Sequence, residues 1–466
     1  MIGPHYTLTA DLKVLTPLHI GTGDVRKFKR FDGDNEKPEV ALTALDGAGR
    51  PYLPGASIKG VLRQLVSQKT NRELLFGPDE INDGPGAKAG LAIVWNARFH
   101  SAPANAEHAP YGNKSFCGDA ETFVERGLFI DARTAIDPKA GVAAHHKLFH
   151  QMLVLPGTRF AFSLTLHNRV GADVVALAEV LASLLGQMAS KDGIALGRGT
   201  RTGQGRVRLE ASTVKVVTVP KSMTDGADIK RILETATPKP LVDTSLHALH
   251  VLRLVCNGPY LVSDSSRLRK PTKAEDQRKE PHLHPLLEPD GNAPRLPGSS
   301  LVGVLRTRAL WLMALSDPEV KDCRDRKLKP DEDPADLSTV ERLFGIAGWS
   351  GLVRIDKVRF VGKAQTADVP TKDITSVRLD RFSGAPIDNA LFTTRAWLGP
   401  EFEVCLSLTD RPYRHKGLEK QALQREDCEL FRALIRNLKD EGLMLGHGTN
   451  KGYGWFTVTA KTEGLA

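Results

Sequence analysis

The sequence predicts an α+β protein made of two tandem βαββαβ modules, ferredoxin-like (RRM-like) units with long loop insertions, and three observations predict it. Blocks of residues recur in one order: Leu53-Pro-Gly-Ala-Ser-Ile-Lys-Gly-Val-Leu-Arg63 returns as Leu296-Pro-Gly-Ser-Ser-Leu-Val-Gly-Val-Leu-Arg306, Leu75-Phe-Gly77 as Leu343-Phe-Gly345, and Gly90 to Phe99 as Gly351 to Phe360. Within each copy the apolar period switches between about 2 and about 3.6 residues, in the order strand, helix, strand, strand, helix, strand. The frame Gly197-Arg-Gly-Thr-Arg-Thr-Gly-Gln-Gly205 comes back as Gly446-His-Gly-Thr-Asn-Lys-Gly-Tyr-Gly454 and closes each copy. Repetition on this scale marks a duplicated module of roughly two hundred residues. The expected boundaries are 1–217 for the first module, 218–247 for a linker and 248–466 for the second module.

In the first copy, Tyr6 to Leu15 alternates apolar and polar residues as a half-buried strand does. A Pro-Gly turn leads into a helix with Ser57 as its expected N-cap and with Ile58, Val61, Leu62, Leu65 and Val66 on one face. Leu91 to Phe99 and Arg159 to Leu166 read as strands two and three. Val174, Leu177, Leu181, Leu184, Leu185 and Met188 define a second amphipathic helix, and the glycine loop leads into strand four, Val207 to Val217. The second copy repeats the series: His250 to Cys256, a helix from Ser299 through Leu315, Leu352 to Phe360, Phe402 to Leu408, a helix through Leu430, Phe431, Leu434, Ile435 and Leu438, then Tyr453 to Thr459. The linker, with Pro220, Pro238 and Pro240, holds one short expected helix at Ile229 to Ala236. Long insertions rich in Gly, Pro and charge, at Asp24 to Pro38, Gly77 to Asp119 and Ser263 to Arg295, read as loops that order against a partner.

Composition bounds the function. The 466 residues are 41% hydrophobic and 26% charged, an ordinary globular balance, and the net charge of +9 favours a polyanionic partner. The five cysteines, at 117, 256, 323, 405 and 428, show no Cys-x-x-Cys pair, so a reduced compartment is expected rather than a disulfide framework. No run of residues reads as a signal peptide or a membrane span. The glycine loops lack the Gly-Lys-Ser/Thr ending of a nucleotide P-loop. Their backbone N–H groups, with Arg198, Arg201 and Arg206, are instead expected to cradle phosphate oxygens, and His447 and Lys451 occupy the second loop.

The ordered set Leu18-His-Ile-Gly21, Pro54-Gly-Ala-Ser-Ile-Lys-Gly-Val-Leu-Arg63, Leu75-Phe-Gly77 and the glycine loop before the last strand resembles the RAMP superfamily of CRISPR-associated proteins. Within it, the chain is most similar to backbone subunits of type III effector complexes, in a tandem form like the fused subunits of subtype D-like systems. The resemblance covers both copies and nearly all of the chain outside the loops. It implies a cytoplasmic ribonucleoprotein subunit of antiviral defence that polymerises along a guide RNA (crRNA), meets complementary target RNA and assembles with other effector subunits. It also implies a thumb hairpin in each module, here Thr134 to His150 and Val377 to Arg395.

Lys59 and Arg63, four apart near a helix N-terminus, can reach one backbone segment, and the resemblance gives them guide-RNA phosphates. In the second copy Val302 replaces Lys59 while Arg306 remains, with Arg308 as the alternative contact. Active members of the family use an aspartate on the loop after strand one for cleavage of target RNA in the presence of Mg²⁺ (or Mn²⁺). Asp34 and Asp32 fall in that loop as catalytic and metal-binding candidates, with Asp276 as the candidate in the second module, followed by Glu280, His282 and His284. His145, His146 and His150 have helical metal-ligand spacing, but their place in a thumb favours RNA contact or plain exposure. Two other readings compete with a target-cleaving subunit: a scaffold that binds RNA without cutting it, and a metal-independent guide-processing ribonuclease relying on a histidine such as His19 for acid-base chemistry.

Overall fold

The computed structural model describes residues 5–28, 38–78, 89–103, 125–136, 143–168, 172–219, 227–235, 237–238, 246–264, 281–288, 293–320, 326–362 and 370–463. The protein is α+β with strands dominating. It divides into two units. One comprises Met1–Asp131, Phe149–Thr200 and Gln204–Val242, and the other Ala132–Leu148, Arg201–Gly203 and Asp243–Ala466.

In chain order the first half contributes β1 (His5–Val14), β2 (Gly21–Lys27), β3 (Glu39–Thr43), β4 (Tyr52–Leu53), α1 (Gly55–Gln64), α2 (Lys69–Phe76), β5 (Ala92–Val94), β6 (Ala97–Ser101), β7 (Leu128–Ile136), β8 (Ala143–Val154), β9 (Arg159–His167), α3 (Val174–Met188), β10 (Ile194–Ala195), β11 (Arg206–Val219) and α4 (Ala227–Glu234). The main sheet runs β10-β11-β1-β9-β6-β4, with β5 also on β9. Strict alternation in β1 buries Tyr6, Leu8, Ala10, Leu12 and Val14 on one face. There they meet Ile58 and Leu62 of α1 and Leu177, Leu181 and Leu184 of α3 in one core. The opposite face carries the polar alternates, among them Thr7, Asp11 and Lys13. The linker helix α4 lays Ile229 and Leu233 into this core. A smaller sheet runs β2-β3-β8-β7.

The second half contributes β12 (Leu246–Cys256), β13 (Pro259–Tyr260), α5 (Gly298–Ala314), α6 (Thr339–Phe344), β14 (Val353–Phe360), β15 (Thr371–Leu379), β16 (Pro386–Leu398), β17 (Glu401–Thr409), β18 (Pro412–His415), β19 (Leu418–Gln421), α7 (Arg425–Glu441), β20 (Leu443–Met444) and β21 (Trp455–Glu463). Its sheet runs β14-β17-β12-β21-β20, antiparallel at each pairing, with Leu254 opposite Phe402 on one side and Val458 on the other. Leu252, Leu254, Phe402, Val404, Leu406 and Phe456 form one core with Leu301 and Leu305 of α5 and Phe431 and Leu434 of α7. Both units therefore place strand one at the centre, strands three and four beside it, and strand two outside strand three.

Two local expectations are corrected. Ser57 does not cap α1: the helix begins at Gly55 after Pro54, because the Gly55 N–H is taken by Asn96 Oδ1 at 2.8 Å, across the sheet. The expected strand Leu91 to Phe99 is broken into β5 and β6, since the register against β9 slips by one residue at Trp95–Asn96. No helix among the described residues is long and apolar enough to cross a membrane.

Candidate nucleic-acid interface

The two glycine loops share one hydrogen-bond frame. Leu196 N–H donates to Gly205 O at 2.8 Å and Leu445 N–H to Gly454 O at 2.9 Å. Each loop is then fastened to the segment after the first strand: Gly205 N–H to Pro17 O (2.9 Å) and Arg198 N–H to His19 O (2.8 Å) in one copy, Gly454 N–H to Pro259 O (2.7 Å) and His447 N–H to Leu261 O (2.6 Å) in the other. This frame needs glycine at its last position. Gly205 and Gly454 have φ of +76° and +65°, and an added Cβ would stand 2.0 and 1.8 Å from Leu196 O and Leu445 O. Gly454→Ala is expected to cost about 1–2 kcal/mol from the left-handed backbone alone, before the clash. A thermal melt of the full chain reads that cost, and an unchanged melting temperature would contradict the frame.

This frame takes up part of the expected backbone cradle. The N–H groups of Arg198, Gln204, Gly205, His447, Lys451, Gly452, Tyr453 and Gly454 all donate to protein carbonyls, so phosphate contacts from these positions fall to side chains. Arg198 is exposed, and its guanidinium has no partner among the described residues. His447 and Lys451 are exposed at the second loop, where partial burial and the Lys451 ammonium hold the His447 imidazole below its usual pKa. Lys59, half-buried on α1, has no hydrogen-bond or ion-pair partner among the described residues.

Other expected cations already make contacts within the protein. Arg63 Nη1 donates to Gly77 O at 2.6 Å, and in the second unit Arg306 Nη1 donates to Gly345 O at the same 2.6 Å. Gly77 and Gly345 turn with φ of +92° and +86°, each against a second glycine, Gly90 or Gly351. The arginine of the recurring Pro-Gly block is thus a clamp on the Leu-Phe-Gly turn. Arg201, which groups with the second unit, donates to Leu343 O at 3.5 Å and to Val353 O. Burial, then the Arg411 and Arg354 charges, lower its pKa to about 10. A guanidinium held among backbone carbonyls does not serve as a free phosphate ligand. Arg206 is half-buried at the start of β11, and its N–H donates to Thr16 Oγ1 at 2.9 Å. Arg308 binds Asn437 Oδ1 at 3.0 Å and lies 5.6 Å from the Trp311 ring centre.

His19 is also corrected. It is 3% exposed, with Nδ1 2.8 Å from Met152 O, so it braces β8 and is not at the surface where an RNA contact was expected. His150 is buried, whereas the side chains of His145 and His146 lie outside the described residues. Asp32, Asp34, Asp276 and Glu280 also lie outside them, the first two in the connection between β2 and β3. Among the described residues no group of three His, Cys, Asp or Glu side chains could hold a metal ion. His282 Nδ1 accepts from Thr393 N–H at 3.1 Å and its ring stacks on Phe392. In the second thumb candidate, β15 and β16 form a hairpin whose tip residue Phe382 is fully exposed, with Leu379 and Leu391 also outward.

The family model of the RAMP superfamily matches residues 11–208 and 259–457. Among solved structures, a chain of the "Type III-B Cmr-beta Cryo-EM structure of the Apo state" is similar at 14% identity and a TM-score of 0.32, over 44% of this chain and 96% of that one. No curated protein matches the chain.

Proposed function

The chain belongs to the RAMP superfamily, and from that premise we propose that it is a guide-RNA-binding backbone subunit of a type III CRISPR effector complex, with two consecutive backbone positions fused in one polypeptide. Each unit is read as a ferredoxin-like module with a thumb hairpin, supported by the strand order and by the helices packed in its core. The observation that carries the reading is the duplicated glycine frame, which ties part of its backbone donors internally and leaves Arg198, His447 and Lys451 outward, with Lys59 unpaired on α1 of the first unit. Such side chains bind a phosphate backbone without reading its sequence.

In this reading the subunit works in the cytoplasm with partner effector subunits, and it cleaves complementary target RNA in at least one module. The loop aspartates Asp34 or Asp32, and Asp276, supply hard oxygen donors that suit Mg²⁺ or Mn²⁺. A bound ion would neutralise charge at the scissile phosphate. The chain's own part is to hold the RNA in place against those loops.

Binding to single-stranded RNA should fall as salt rises, and each phosphate contact removed should lower the log–log salt slope by about 0.7. Lys59→Ala with Arg198→Ala is expected to weaken binding and lower the slope by about two such steps, as read by fluorescence anisotropy across a salt series. Unchanged affinity and slope would exclude these side chains as the phosphate ligands.

A further inference from the structure

Trp95 stands where the second strand of the first unit breaks. Val94 faces Leu164 of β9, whereas Arg98 faces Ala161, one residue out of step. The same slip recurs in the second unit between Ile355 and Lys357, opposite Leu406 and Cys405. Trp95 and Asp356 are the equivalent residues of the two recurring blocks, so both modules place a bulge there, and a bulge re-aims the side chain it carries.

The indole is 51% exposed yet held in place. Its Nε1–H donates to Thr165 Oγ1 at 3.0 Å, and that hydroxyl pairs with the Thr7 hydroxyl at 3.1 Å, both from the polar face of the sheet. Its backbone lies against the first turn of α1, where a Cβ on Gly55 would come 2.9 Å from the Trp95 carbonyl carbon. Lys59 follows one helical turn after Gly55. In the second unit both features change together: Val302 stands for Lys59, and Asp356, in place of the indole, has its Oδ1 2.5 Å from Arg354 Nε. At these equivalent positions a cation without a partner among the described residues and an exposed, oriented ring stand together in one module and are both replaced in the other.

We propose that Trp95 is a stacking platform for a nucleobase of single-stranded RNA, in the first unit alone. The inference rests on the RNA-binding reading above and adds to it a base contact confined to one module. A π-face accepts any base, so the contact adds affinity without sequence preference. The hydrogen bond to Thr165 orders the ring before RNA arrives, which removes part of the cost of binding.

The test compares a labelled single-stranded ribo-oligonucleotide with its abasic counterpart on the full chain. The wild type should prefer the base-bearing RNA by about tenfold. Trp95→Ala should abolish that preference without altering the salt slope, Trp95→Phe should keep most of it, and Lys59→Ala should lower the slope while leaving the preference. Thr165→Val, which frees the ring but keeps it, should reduce the preference and gives a second reading if Trp95→Ala folds poorly. A preference that survives in both Trp95→Ala and Thr165→Val would overturn the platform while leaving RNA binding intact. A wild type that binds neither RNA would instead overturn the RNA-binding reading beneath it.

Discussion

Replacing Asp427 with alanine is expected to lower the stability of the second unit by about 3–5 kcal/mol, because it strands a buried guanidinium. Arg342 Nε lies 3.0 Å from both carboxylate oxygens of Asp427, with the two residues 5% and 0% exposed. Arg342 also donates to Ala335 O at 3.2 Å and to Leu337 O, and the Asp427 carboxylate accepts the Gln424 N–H at 2.9 Å at the start of α7. The Arg342 carbonyl in turn accepts from Leu352 N–H and Trp349 Nε1–H, one residue before the Leu-Phe-Gly turn that Arg306 clamps. The pair thus joins α6, α7 and the turn, and its loss should loosen α7, which leads directly into the second glycine loop. Urea unfolding, with hydrogen exchange of α7 to assign the transition to this unit, measures the effect. The double variant Arg342→Met with Asp427→Leu should recover much of the loss, since paired charges of this kind are often replaced by apolar residues at little cost. A loss below about 1 kcal/mol for Asp427→Ala would mean that the pair is hydrated rather than buried.

The second expected result is the disappearance of a cleavage product. Assembled complex carrying Asp34→Ala, or Asp32→Ala if the first variant still cuts, should lose one product from end-labelled target RNA in Mg²⁺, and Asp276→Ala should remove a different one. Guide and target binding should persist, because deleting a carboxylate does not weaken the phosphate contacts proposed for Lys59 and Arg198. EDTA should abolish all cleavage by this subunit. A denaturing gel distinguishes the readings: full cleavage by all three variants would leave the RNA-binding scaffold as the role of this chain and place the nuclease in another subunit.

The duplication, the order of elements and most of the core were legible in the sequence, because they depend on local patterns. Alternation in Tyr6 to Val14 and helical spacing in Val174 to Met188 dictate which face is apolar whatever the partner. The glycine frame was legible for the same reason: positive φ is a property of single residues, and only glycine adopts it without strain. The roles of the cations were not. Arg63, Arg201 and Arg306 are of the same type as Arg198, Arg201 in the same glycine loop and the other two in the recurring Pro-Gly block. Yet three of them are taken by carbonyls 14 to 152 positions away, and no local pattern reports which acceptor the fold will bring. His19 and Trp95 show the same limit in opposite directions. A histidine in a recognisable motif is buried against Met152, and a tryptophan in an apolar block stands in the open. The sequence by itself determined the modules and their strands; the tertiary structure decided which polar groups are consumed and which are left to bind, because burial and hydrogen-bond partners arise only when distant segments meet.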